Sequence, residues 1–195
     1  GAGELYIGLV EFGAGVIPAG GGCLRLYQRN VAQLMDKRDL QPAFRKTFET
    51  IGMAKVATSA AEAQDLGFLR PGDSWSMNRD HLAADAKDLA LALAAGNHIS
   101  PGHDDAIPVM GTAGIALAEA VLFNMKQGGY VSEHDVKIGM ELGRILSGGV
   151  VPPGTTVTET DMLDLERESF MRLLGERKTL ERMEHILKTG KPLRN

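Results

Sequence analysis

At 195 residues, 44% hydrophobic and 24% charged, the chain is long enough for one substantial core and has the composition of a globular protein. A net charge of -4 leaves no global basic face, which argues against nucleic acid as a partner. The single cysteine, Cys23, cannot form an internal disulfide and reads as a small buried apolar residue; it fits a reducing compartment, and the cytoplasm is the expected location. The longest apolar run, Leu89 to Ala95, is far short of the roughly 20 residues that a membrane span needs. No basic segment leads into an apolar one at Gly1, so no signal peptide is expected either.

Leu5 to Val10 reads as a short buried strand ending at the acid Glu11, and Phe12 to Gly22 as a Gly-rich loop. Gly13 and Gly15 open a dinucleotide fingerprint, but Pro18 stands where its third glycine belongs, so nucleotide binding is not expected there. Leu24 to Met35 has the 3.6-residue spacing of an amphipathic helix. A second helix follows from Pro42, its apolar face traced by Phe44, Phe48, Ile51 and Met53. Ser59 and Glu62 have capping-box spacing for a helix that stops at Gly67. After a surface loop over 70–76, Asn78 is a fair cap for a long Ala- and Leu-rich helix running to Ala95.

Gly96 to Pro108 is dense in turn formers and reads as a linker between segments 1–95 and 109–195. Its His98, His103, Asp104 and Asp105 do not make a metal site, because two imidazoles on a flexible stretch lack the pre-organisation that ligation needs; no metal is expected. Four helices should follow, over 112–127, 132–146, 161–174 and 179–188, punctuated by glycine pairs and by the Pro152-Pro153-Gly154 turn. Ser132 and Asp135 start the second of them, with His134 expected at the surface of the cap. On the third, Glu166, Arg167, Glu168 and Arg172 read as a solvated charged face. The chain is therefore expected to be mostly α-helical, with one or a few short strands.

The stretch Val10 to Leu26 (V-E-F-G-A-G-V-I-P-A-G-G-G-C-L-R-L) resembles the crotonase superfamily pattern P-E-x-x-x-G-x-I-P-G-x-G-G-x-x-R-L. Glu11, Gly15, Ile17, Pro18, Gly21, Gly22, Arg25 and Leu26 fall on it, while Val10 replaces its Pro and Ala19 one of its glycines. A second register, on the superfamily's upstream G-G-G-C-E segment, fails because Leu24 stands where the acid is required. The segment 54–69 is similar to the superfamily's I-S-A-x-E-A-x-x-x-G-L-V, and the C-terminal run from Leu165 to Pro192 to its basic C-terminus. The long helical second half resembles the C-terminal part of bacterial multifunctional enzymes in which a crotonase module follows 3-hydroxyacyl-CoA dehydrogenase domains.

That resemblance implies an α/β fold, the crotonase-like ββα spiral, of which segment 1–95 is the latter part and 109–195 a C-terminal helical region for oligomerisation. It implies hydration of a 2-enoyl-CoA in fatty-acid β-oxidation, with Glu11 as one of two catalytic glutamates. Ile17, Pro18 and Ala19 would line the substrate, the Ala19 amide standing where a family glycine amide holds the water. Lys188 and Lys191 would reach coenzyme A. Arg25 reads as an ion-pair residue or, less simply, as a phosphate contact. The partner is then an acyl-CoA thioester, the assembly a homo-oligomer, and NAD belongs to dehydrogenase domains upstream, with no cofactor in this segment. The other catalytic half-site is expected to precede Gly1, so the segment alone should be inactive. A different class of reading is a non-catalytic helical module for assembly.

Overall fold

The computed structural model describes residues 2–99 and 102–195. In chain order they form β1 (Glu4–Gly8), a 3-10 turn (Glu11–Ala14), α1 (Gly22–Ala32), α2 (Gln41–Gly52), β2 (Val56–Ser59), α3 (Ala60–Leu66), a second 3-10 turn (Arg79–His81) and α4 (Leu82–Ala95). Then come β3 (Ile107–Pro108), α5 (Thr112–Gln127), α6 (Glu133–Leu146), β4 (Thr156–Val157), α7 (Glu159–Leu174) and α8 (Arg177–Thr189). The chain divides into two compact units, one of residues 1–8 with 56–103 and one of residues 9–55 with 104–195. The last of these boundaries falls inside the Gly96–Pro108 linker.

The first unit is built on antiparallel β1 and β2, with Ile7 opposite Ala57 and Gly8 opposite Val56. The strand ends two residues before the predicted Val10, which is 51% exposed. Ser59 caps α3 by accepting from the Glu62 N–H, and Gly67 ends it in the left-handed conformation with φ 89° that glycine adopts without strain. The Glu62 carboxylate reaches back to the N–H and hydroxyl of Thr58, one residue earlier than a capping box would place it. Asn78 caps the second 3-10 turn rather than α4 itself. The sole tryptophan, Trp75, belongs to this unit and is 39% exposed. No residue of α4 is buried, although Leu89 to Ala95 is apolar on every face.

The second unit is an all-helical core around α1, α2, α5, α6 and α7, with the short antiparallel pair β3 and β4 at its side. Leu24, Leu26, Tyr27 and Val31 of α1 meet Phe44, Phe48 and Ile51 of α2, all of them buried. The helix stops at Ala32, and Met35, expected on its apolar face, is fully exposed. Met53 likewise lies past the end of α2 and is 56% exposed. Helices α5 and α6 approach closely at two glycines: a Cβ on Gly143 would lie 2.5 Å from the Ala118 Cβ, and one on Gly139 2.7 Å from Leu122 Cδ2. Capping boxes start α6, from Ser132 and Asp135, and α7, from Thr158 and Asp161. The second box draws α7 back to Glu159, two residues before its expected start. No described helix is long and apolar enough to cross a membrane.

Candidate functional site

The Gly-rich loop follows the 3-10 turn in the second unit. Glu11 starts that turn, and its carbonyl accepts from the Val16 N–H at 3.2 Å, which folds the loop back on itself. Gly15 takes φ 90° there, and a Cβ would meet the Thr179 backbone at 2.9 Å, so only glycine fits. Ile17 is fully buried, Pro18 is buried and Ala19 is partly exposed, so the three predicted substrate-lining residues form one turn between Glu11 and α1. The Glu11 Oε2 is shielded from solvent and has no hydrogen-bond partner among the described residues. Carboxylate oxygens are rarely left so, since a buried polar atom without a partner costs about 1–3 kcal/mol.

Gly21, with φ 89°, turns the chain into α1, whose first N–H groups converge on one point. That point is filled from within. The Glu166 carboxylate, carried by α7, accepts from the Gly21 N–H at 2.7 Å and the Leu24 N–H at 2.8 Å. Glu166 is completely buried, not part of a solvated face as its charged neighbours suggested. Burial pushes its carboxyl up from its ordinary value, against the N–H groups of Leu24, Gly21 and Cys23, which favour the charged form. A helix N-terminus is a natural anion site, and here the anion is the protein's own. The pyrophosphate of a dinucleotide therefore has no place at α1, and the residues of this loop do not fit NAD.

Cys23 lies beside the same carboxylates. It is fully buried, and its Sγ–H donates to the Pro18 carbonyl at 3.4 Å. Burial, then Glu166 and then Glu11 raise its thiol well above the ordinary value, so it stays protonated and unreactive. Arg25 points away from the loop and forms a two-pronged pair with Glu159, at 2.5 and 3.0 Å, which holds α1 to the start of α7.

The loop's outer side is fixed by α6 and α8. The Thr179 hydroxyl donates to the Gly15 carbonyl at 2.7 Å and receives the His134 Nε2–H at 2.9 Å. His134 is 3% exposed, contrary to the surface position its neighbourhood in sequence suggested. Burial and the nearby Arg182 cation lower its pKa, so the ring is held neutral. Arg182, also buried, pairs with Asp135 at 2.8 Å.

Of the lysines expected at coenzyme A, Lys188 is exposed on α8 and pairs with Glu184 one turn back. Lys191 is exposed one residue before Pro192, whose Cβ would lie 3.6 Å from a Cβ on Gly13. The tail is thus brought to the Glu11 turn through Pro192, while Lys188 is not. Glu166, His134 and Thr179 were not visible as site residues in the sequence, because each acts on the loop from far along the chain.

The whole chain aligns with a probable 3-hydroxyacyl-CoA dehydrogenase of Bacillus subtilis (strain 168), 46% identical over 194 residues. The alignment covers 100% of this chain and 24% of that protein, so the chain spans about a quarter of the length of the curated relative it matches. No family model matches the chain, and no solved structure does.

Proposed function

We propose that the chain is a segment of a longer 3-hydroxyacyl-CoA dehydrogenase of fatty-acid β-oxidation, and that it contributes half of a crotonase-type site for hydration of 2-enoyl-CoA. The reading rests first on the 46% identity, along the whole chain, to a protein named for that dehydrogenase activity. Hydration places a hydroxyl on C3 and a hydrogen on C2, and so makes the 3-hydroxyacyl thioester that such a dehydrogenase consumes. Glu11 is the proton-transfer group in this reading. Support for it comes from the solvent-shielded, unpartnered Oε2 beside the Ile17-Pro18-Ala19 turn. The second glutamate, the remaining part of the ββα spiral and the NAD domains belong to the longer polypeptide, which would work as a cytoplasmic homo-oligomer.

Glu11→Gln in the full-length polypeptide tests this, because it preserves shape and removes the exchangeable acid. Hydration of crotonyl-CoA should fall by about 100-fold or more, with little change in thioester affinity. Oxidation of a 3-hydroxyacyl-CoA should survive. An unchanged hydration rate would remove Glu11 from the mechanism. The 195-residue segment alone should show no hydratase activity, since loss of even one oxyanion donor costs about 100- to 1000-fold.

Helix α4, in which no residue is buried although Leu89 to Ala95 is apolar, favours a second reading, a module for assembly. It predicts that charged substitutions on α4 dissociate the full polypeptide while Glu11→Gln leaves every activity intact.

A further inference from the structure

Beside Phe12 of the 3-10 turn lies a feature that the hydratase reading does not use. The end of α2 and one face of α5 stand apart over a cavity of about 400 Å³, lined chiefly by Phe12, Phe48, Met53, Val121, Leu122 and Met125. A second hollow of about 310 Å³ shares Phe12, Met53 and Met125 with it and extends to Arg194. Together they make one apolar trough of the size that holds small molecules. Its charges are unequally spent. Lys55 faces Glu49 at 3.8 Å, and Arg182 is bound to Asp135, so both of these cations are neutralised. Arg194 donates only to the Tyr130 carbonyl, at 3.5 Å, and meets no carboxylate among the described residues. An apolar channel with one unneutralised cation at its end complements an alkyl chain with an anionic head.

We propose that this trough binds a medium-chain fatty carboxylate, the alkyl chain lying against Phe48, Leu122 and Met125 and the carboxylate on Arg194. The inference goes beyond the reading of Glu11 and does not depend on it. Gly52, at the end of α2, lines both hollows, and a Cβ there meets nothing within 4 Å. A larger side chain at Gly52 therefore fills the trough without pressing on the fold.

The test is calorimetric titration of the full-length polypeptide with decanoate. Saturable binding is expected, and hexanoate and decanol should each bind about tenfold or more weaker, the first for lost alkyl burial and the second for the lost charge. Gly52→Leu should weaken decanoate binding by about tenfold or more while leaving the melting temperature no lower. Arg194→Gln should weaken decanoate by about tenfold and leave decanol unchanged. Glu11→Gln should bind decanoate like the parent whether or not Glu11 is catalytic, which separates this inference from the hydratase reading. Decanoyl-CoA, whose thioester carries no carboxylate for Arg194, should displace decanoate only weakly, and displacement as strong as that by decanoate itself would overturn the assignment of the head group. No saturable binding, equal affinity for decanoate and decanol, or indifference to Gly52→Leu would overturn it.

Discussion

Glu166 shows what one residue can decide. Its carboxylate satisfies two buried N–H groups at the start of α1 and thereby holds the Gly-rich loop against α7. Glu166→Ala leaves those donors without a partner and should cost about 2–4 kcal/mol in a urea unfolding titration; Glu166→Gln, which keeps one acceptor oxygen, should cost about half as much. His134 gives a pH signature. Its imidazole has an ordinary value of 6.5 in the unfolded chain and a lower one in the fold, where burial and Arg182 oppose the proton. Its contribution to stability is therefore complete above about pH 6.5 and is lost as pH falls through the folded value. Glu166, whose folded value is raised, acts in the opposite sense, its contribution declining as pH rises from 4.5 through the folded value. Comparing His134→Gln with the parent at pH 7.5 and 5.5 isolates the imidazole: the variant should lose less stability on acidification. Neither residue could be placed from sequence. The partners of Glu166 are 142 and 145 residues away and that of His134 is 45 away, distances over which neither periodicity nor capping rules carry information.

Elements were far more legible than partners. Helix α5 occupies the expected 112–127 because Gly111 and Gly128 flank one continuous periodic run, and α6 starts beside the expected Ser132 because its capping box is local. The start of α7 was missed by two residues, since Thr158 lies in a Thr-rich stretch that reads as a connection. What the pattern could not reveal is why α6 carries Gly139 and Gly143, one turn apart and costly to a helix interior. The α5–α6 contact explains them. Gly143→Ala should improve helix propensity yet push its Cβ to within 2.5 Å of the Ala118 Cβ, so the net effect should be a loss of about 1–3 kcal/mol, read as a lower melting temperature. Ala118→Gly in the same chain should recover part of it, because the clash is removed from the other side.

For the whole molecule, α4 is the unresolved balance. A helical stretch apolar on every face, as Leu89 to Ala95 is, is normally enclosed, yet Leu89, Leu91 and Leu93 are 48%, 58% and 44% exposed. Helix α1 buries its apolar face within its own unit, whereas the exposed apolar surface lies on α4. The 195-residue chain should therefore self-associate at high concentration, as light scattering would show. Replacing Leu89, Leu91 and Leu93 by Lys should shift it toward monomer without lowering the stability of the second unit. A monomeric parent with no binding of a hydrophobic dye would contradict this.

The sole tryptophan sits in the first unit, while the second carries Tyr27 and Tyr130 as its only phenols. The chain thus carries a built-in optical label on one half. Tryptophan emission reports the unit that contains α4, while far-ultraviolet ellipticity is dominated by the helices of the other. Two denaturation curves that overlay would mean that the halves melt as one cooperative block, and two that separate would give each half its own midpoint without any engineered probe.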